Sequence, residues 1–222
     1  MIDLLYMYFG LVVFWGTYFG GALLFPSDDM ITRPSAKITT GKVVKKLIVN
    51  CLVTIVILPF IRHIPQIFYF PLTWYGYILK YMAMSLMAEC WFYYTHRLLH
   101  TKYLYYWHAD HHAFIRSYAL AGLYCSPVEM VFVNLLSVVV PLQISGVLFI
   151  EVIIVFALIA LNVLKGHAQL HLRKDIPNWI PDWLVSNWDH DLHHKTMTCN
   201  YGVLYLLDRI HGTYTELPDN EY

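Results

Sequence analysis

MVFVNLLSVVVPLQISGVLFIEVIIVFALIALNVL, residues 130–164, carries a single charge, Glu151. As one straight helix it would be about 50 Å long, against a bilayer hydrocarbon core of about 30 Å. Two shorter spans turning near Pro141–Gly146 fit better. Residues 4–27 are uncharged and also long enough to cross a bilayer. Only 14% of the 222 residues are charged, where a soluble domain averages roughly 25%. The chain therefore reads as a polytopic membrane protein. Zero formal net charge removes the electrostatic footprint of a nucleic-acid binder, and 17% aromatic residues exclude a disordered chain.

Further spans follow from the charge gaps. Residues 47–61 lie between Lys46 and Arg62, and a span over 45–61 relies on Lys45 and Lys46 snorkelling to the interface. Residues 64–75, with Pro65 and Pro71 among aromatics, read as an interfacial connection, and the next span runs over 75–95. The expected spans are 4–25, 45–61, 75–95, 128–143 and 147–165, an all-α bundle of about four to five crossings. Loops 26–46 and 96–126 and the tail from 166 then share one side. With Lys165 counted at the edge of the tail, only Arg62 and Lys80 of fifteen basic residues fall outside that set. The positive-inside rule makes that side cytoplasmic and puts the N-terminus on the far side. No basic residue precedes the first run, so that run reads as a retained span rather than a cleaved signal peptide. Cys51, Cys90, Cys125 and Cys199 have no paired spacing and read as small hydrophobes in a reducing compartment.

Ten of the twelve histidines fall in four short groups on that side: HRLLH (His96, His100), HADHH (His108, His111, His112), HAQLH (His167, His171) and HDLHH (His190, His193, His194). On a helix, positions i, i+3 and i+4 project from one face, so each group offers part of a metal site that the others complete. Structural zinc is satisfied by four ligands, and catalytic zinc by three plus water. Ten histidines are too many for one zinc and give about five to each of two ions. That leaves an open position in a six-coordinate site, which suits iron activating dioxygen. Imidazole also accepts zinc, copper and nickel, so ligand type alone leaves the metal open.

These residues resemble the fatty acid hydroxylase and sterol desaturase superfamily of integral membrane non-heme di-iron oxygenases, whose pattern is HxxxH, HxxHH, HxxxH, HxxHH. Residues 108–129, HADHHAFIRSYALAGLYCSPVE, are similar to its HxxHHxF followed by AxYxHPxE. Residues 200–213, NYGVLYLLDRIHGT, are similar to its NYG…WDRxFGT close. The resemblance covers about residues 85–215. Ser126, Leu207 and His211 depart from the pattern at positions that vary among subfamilies, and none touches the ten histidines.

The resemblance implies a cytosolic histidine-rich cap holding a dimetal centre of two iron ions, with zinc as a substitute, above the bundle. It implies hydroxylation or desaturation of a sterol or fatty acyl chain with dioxygen, in the endoplasmic reticulum. Electrons are expected from a separate cytochrome b5-type or NAD(P)H-linked carrier, since no HPGG haem-binding motif occurs. The expected organisation is 1–75 for the N-terminal spans and connection, 76–215 for the catalytic domain and 216–222 for a tail. No nucleic-acid partner is expected. A histidine-rich zinc transporter or metal-binding membrane protein is the competing class; transport needs ionisable ligands near mid-bilayer, whereas these groups lie at one edge.

Other residues carry weaker expectations. Glu89, two helical turns before His96, reads as an acceptor for a ligand imidazole N–H, or else as a partner of Lys80 or a polar helix contact. Asp110, Asp189 and Asp191 stand between the histidines and either orient them or are solvated. Asp208 and Arg209 read as an ion pair fixing the C-terminal segment. His63 is expected at the far interface, and His211 either at a surface loop or behind a ligand. The aromatic runs WFYYT (91–95) and YLYYW (103–107) suit a membrane-interface belt better than a substrate slot.

Overall fold

The computed structural model describes residues 3–24, 31–32, 38–168 and 188–216. Each long helix begins where the sequence supplies a cap. Asp3 accepts the Leu5 N–H at 2.8 Å and opens α1 (Leu4–Leu24). Thr39 caps α2 (Thr40–Ile61), and Thr73 caps α3 (Trp74–Leu99), each through its hydroxyl oxygen at 3.3 Å. Ser126 caps α4 (Pro127–Ser145), whose first residue is a proline with no N–H to satisfy. Glu151 reaches back to the Leu148 N–H at 2.6 Å and starts α5 (Phe149–His167). Two short helices follow, α6 (Trp188–Thr196) and α7 (Leu206–His211). A small antiparallel pair joins β1 (Ile31–Thr32) to β2 (Phe114–Arg116).

Among the described residues four helices, α1, α2, α4 and α5, are long and apolar enough to cross a membrane. Their outward faces carry large exposed apolar side chains such as Val12, Leu23, Val56 and Phe60, as lipid contact requires. The chain is an all-α integral membrane protein. At 26 residues α3 is also long enough, but it includes Lys80, Glu89 and Arg97 and so falls short in hydropathy. The run 130–164 does divide in two: the chain turns at Gly146, whose φ of +62° favours a residue without Cβ. The second helix starts at Thr40 rather than at 45, because the Thr39 cap draws Lys42, Lys45 and Lys46 into its first turns. Residues 64–73 form no helix, matching the expected connection.

Helix α1 packs along α5, and α3 along α4. The segment 117–125 is tied to this core by polar contacts. The Tyr18 hydroxyl meets the Ala119 and Leu120 carbonyls at 3.0 and 2.9 Å and accepts the Leu123 N–H at 3.1 Å. The Asn50 amide donates to the Leu123 and Cys125 carbonyls at 3.1 Å. Buried backbone groups in an irregular segment must find such partners. The segment is thereby fixed between the histidines of 108–112 and the start of α4.

Candidate metal centre

The histidines of four segments meet at the end of the bundle where α3 and α5 finish. His96, His100, His108, His112 and His193 form one group, and His111, His167, His190 and His194 a second; within each, the candidate ligand nitrogens lie within 4.8 Å of one another. His171, the tenth expected ligand, lies outside the described residues. On α6, His190 and His194 are one turn apart and enter the second group, while His193 points to the first. Residues 108–112 make the converse split: His108 and His112 enter the first group and His111 the second. That segment is a turn leading into a short 3-10 helix, His111–Ala113, rather than an α-helix. Each HxxHH motif therefore serves both groups, with its i and i+4 residues in one and its i+3 residue in the other.

Backbone carbonyls fix the rings. Nδ1 donates to a carbonyl oxygen from His96 (Tyr201, 2.7 Å), His167 (Val163, 2.8 Å), His193 (Cys199, 2.6 Å) and His194 (Phe114, 3.0 Å). A carbonyl cannot donate, so Nδ1 carries the hydrogen and a neutral ring keeps its lone pair on Nε2. Those Nε2 atoms face one another. His96 to His108 is 3.0 Å, His108 to His100 3.1 Å, His112 to His100 3.2 Å, His190 to His167 3.0 Å and His194 to His190 3.1 Å. His193 Nε2 is buried with no hydrogen-bond partner.

Burial holds the rings neutral. It is the main cause pushing His100 down to about 3 and His108, His111, His112, His190 and His193 well below the usual imidazole range, with neighbouring histidines adding repulsion. Converging lone pairs on neutral imidazoles repel unless a shared proton or a cation lies between them, and a cation suits five and four such donors at once. Nitrogens around a tetrahedral ion at 2.0–2.1 Å would stand about 3.3–3.4 Å apart, and right-angled neighbours about 2.8–3.0 Å. The observed 3.0–3.2 Å lies between these limits. The residues present fit a pair of nitrogen-ligated metal ions.

A carboxylate clamp holds the C-terminal segment under the first group. Glu89, 1% exposed, accepts the Val203, Leu204 and Leu207 N–H groups at 2.9, 2.8 and 3.3 Å. It touches neither a ligand imidazole nor Lys80, which corrects both expectations: the N–H groups of 203–207 supply the partners that a buried carboxylate needs. Asp208 likewise accepts the Tyr201 and Gly202 N–H groups at 2.9 and 2.6 Å and the Thr213 hydroxyl at 2.7 Å. The expected Asp208–Arg209 pair is replaced by this clamp, and Arg209 stacks over the Tyr214 ring. Tyr201, whose carbonyl holds His96, is set by that same clamp.

The remaining expected residues lie off the ligand set. Asp110 pairs with Lys46 instead of a ring nitrogen. Asp189 meets the Tyr214 hydroxyl at 3.5 Å, and burial pushes its carboxyl up to about 6. His211 is exposed, stacks on Tyr93 and meets the Tyr94 hydroxyl at 3.0 Å. His63 is exposed beyond the end of α2. Tyr103 and Tyr106 are each 80% exposed, while Tyr93 is buried against Tyr201 and Leu207.

One residue that the sequence analysis quoted only as the end of a motif, with no role of its own, stands inside the centre. Glu129 is buried, 2.8 Å from His108 Nδ1 and 3.6 Å from His111 Nδ1. Its signal was available: it is the one acid between Asp110 and Glu151, at the start of an apolar span where a carboxylate must have a partner.

A membrane bundle carrying at one end two all-histidine groups that could hold metal ions defines a structural class. Residues 81–213 match the family model for fatty acid hydroxylase, and the chain belongs to that family. It is 32% identical over 144 residues to "Fatty acid hydroxylase domain-containing protein 2" of Homo sapiens, covering 64% of this chain and 40% of that protein. It is 26% identical over 193 residues to "Methylsterol monooxygenase 2-2" of Arabidopsis thaliana, covering 82% and 72%. It is 30% identical over 127 residues to the "Very-long-chain aldehyde decarbonylase" of Oryza sativa subsp. indica, covering 55% and 47%. The chain thus spans less than half the length of the first and third of these relatives. No solved structure matches.

Proposed function

We propose that this chain is a membrane-bound, iron- and dioxygen-dependent oxidoreductase that hydroxylates or desaturates a sterol or fatty acyl chain with electrons from a separate carrier. The observation that carries the reading is the pair of histidine groups, each with neutral Nε2 atoms turned inward at the end of apolar spans. His96, His100, His108, His112 and His193 would hold one iron, and His111, His167, His190 and His194, with His171, the other. Five histidines at one position exceed the four ligands of structural zinc, which favours a metal of higher coordination number. Bound there, the irons would supply the activation of dioxygen needed to break an unactivated C–H bond.

The chain's own part is to hold and exclude. Carbonyls of Val163, Cys199, Tyr201 and Phe114 keep four rings in one tautomer, so no proton has to leave those rings when the ligands engage. Burial of the rings keeps water from the ligand nitrogens. The exposed apolar faces of the spans admit a lipid sideways from the bilayer. Residues 76–215 would form the catalytic unit behind the N-terminal spans of 1–75. The clustering of basic residues favours a cytosolic centre, in the endoplasmic reticulum.

A zinc-transport role would need ligands along a path through mid-bilayer, and the two groups stand at one end of α3 and α5. The test is lipid profiling of cells expressing the protein beside His111→Ala and His193→Ala variants. Wild type should generate a hydroxylated or desaturated lipid that both variants lack by at least about 100-fold while inserting into the membrane normally. An unchanged product in His193→Ala would overturn the reading.

A further inference from the structure

Glu129 closes the first turn of α4 and directly precedes Met130–Leu135, a π-helical stretch. Such stretches are rare and occur frequently at functional sites. At 2% exposed, Glu129 is buried as a carboxylate seldom is. Among the described residues, its ion-pair contacts are both to histidines: Oε2 stands 2.8 Å from His108 Nδ1 and Oε1 3.6 Å from His111 Nδ1. His108 belongs to the first group and His111 to the second. The 2.8 Å approach is not in line for a hydrogen bond and the 3.6 Å one is too long for one, so Glu129 Oε2, His108 Nδ1 and His111 Nδ1 face one another buried and without a hydrogen-bond partner. Four other rings take a backbone carbonyl at Nδ1. For these two, a carboxylate stands in that place.

We propose that Glu129 is a positioning residue shared by the two metal positions: one carboxylate oxygen takes the Nδ1–H of His108 and the other that of His111, fixing a ligand of each group with Nε2 turned inward. The proposal rests on the reading of both groups as metal sites. It makes Glu129 a side chain that meets a ligand of each position while belonging to neither set. A carboxylate behind a ligand imidazole raises its basicity as well as orienting it, so the two positions should weaken together when it is lost.

The test uses the full chain in nanodiscs, loaded with iron, as wild type, Glu129→Gln and Glu129→Asp. Metal affinity is read by chelator competition, each iron environment by Mössbauer spectroscopy, and folding by melting with and without metal. Wild type should hold two ions. Glu129→Gln should lose about 10–100-fold in affinity at both positions with altered spectra of both irons, and Glu129→Asp should recover part of it. Metal-free Glu129→Gln should melt no lower than wild type, because an amide is cheaper to bury than a carboxylate. Wild-type affinity in Glu129→Gln, loss at one position only, or an equal fall in melting with and without metal would overturn the proposal and leave the oxygenase reading standing. A wild-type protein that binds no metal would remove both.

Discussion

Near the start of α3, buried Lys80 meets Glu151 of α5 at 2.5 Å, and the Tyr81 hydroxyl donates to the same carboxylate at 2.8 Å. His96 follows Lys80, and His167 follows Glu151, by sixteen residues, about 24 Å along each helix. At that second end nine buried or half-buried imidazoles converge, with the Glu129 carboxylate beside them. The far end neutralises its charges within the chain; the histidine end keeps neutral donors turned toward one another. A self-matched ion pair locks two helices together. An excess of one donor type is an arrangement that packing alone does not reward, and it calls for a cation. A cavity of about 250 Å³ beside Lys80 and Glu151 is lined by none of the histidines.

The comparison can be broken by removing one partner at the far end. Lys80→Met or Glu151→Gln leaves a buried ion unmatched, and should cost about 3–5 kcal/mol of stability. Metal bound per folded molecule should stay the same, as measured by elemental analysis of the monodisperse fraction. Replacing both by apolar residues should recover most of the loss. Metal loss without loss of stability would show that the ends are not separable.

A smaller effect is expected under the first histidine group. A Cβ on Gly202 would stand 2.5 Å from Glu89 Oε1 and 2.9 Å from Asp208 Oδ2. Gly202→Ala should therefore cost about 1–3 kcal/mol as the clamp shifts. Through Tyr201 and His96 it should also lower metal retention at the first position more than at the second, readable as two separated steps in chelator titration.

A further effect, cumulative over six rings, is expected in the acid response of the metal-free protein. Unfolded histidines protonate near 6.5, whereas His100 does so only near 3 when folded, and His108, His111, His112, His190 and His193 are also held well below 6.5. Above pH 6.5 neither state binds these protons. Below it the unfolded chain binds more, so stability should fall as pH drops from about 6.5 toward 3. Melting curves that stay flat over that window would contradict the burial of neutral rings.

Much of this was legible from charge gaps and spacing. The uncharged runs located the spans because a bilayer penalises charge wherever it falls, and the break near Gly146 followed from length alone. The i, i+3, i+4 histidine patterns located the centre. Spacing did not reveal that each HxxHH divides between two groups: the split is the same on α6 and in the turn and 3-10 segment of 108–112, so it depends on which rings of the other segments stand opposite. Glu89 was placed by its helix face, yet its partners are N–H groups of 203–207, more than a hundred residues along the chain. No local pattern encodes that pairing. Glu129 is the instructive omission: the argument made for Glu89, that an acid in an apolar span must have a partner, applied to it equally.

The central claim is that the two histidine groups hold two metal ions. Elemental analysis and Mössbauer spectroscopy of the purified, iron-reconstituted protein test it most directly. The account predicts two irons per chain, both in nitrogen-rich environments of more than four ligands, with His96→Ala perturbing one and His167→Ala the other. A protein that binds no metal, or a single four-coordinate ion untouched by one of these substitutions, would contradict it.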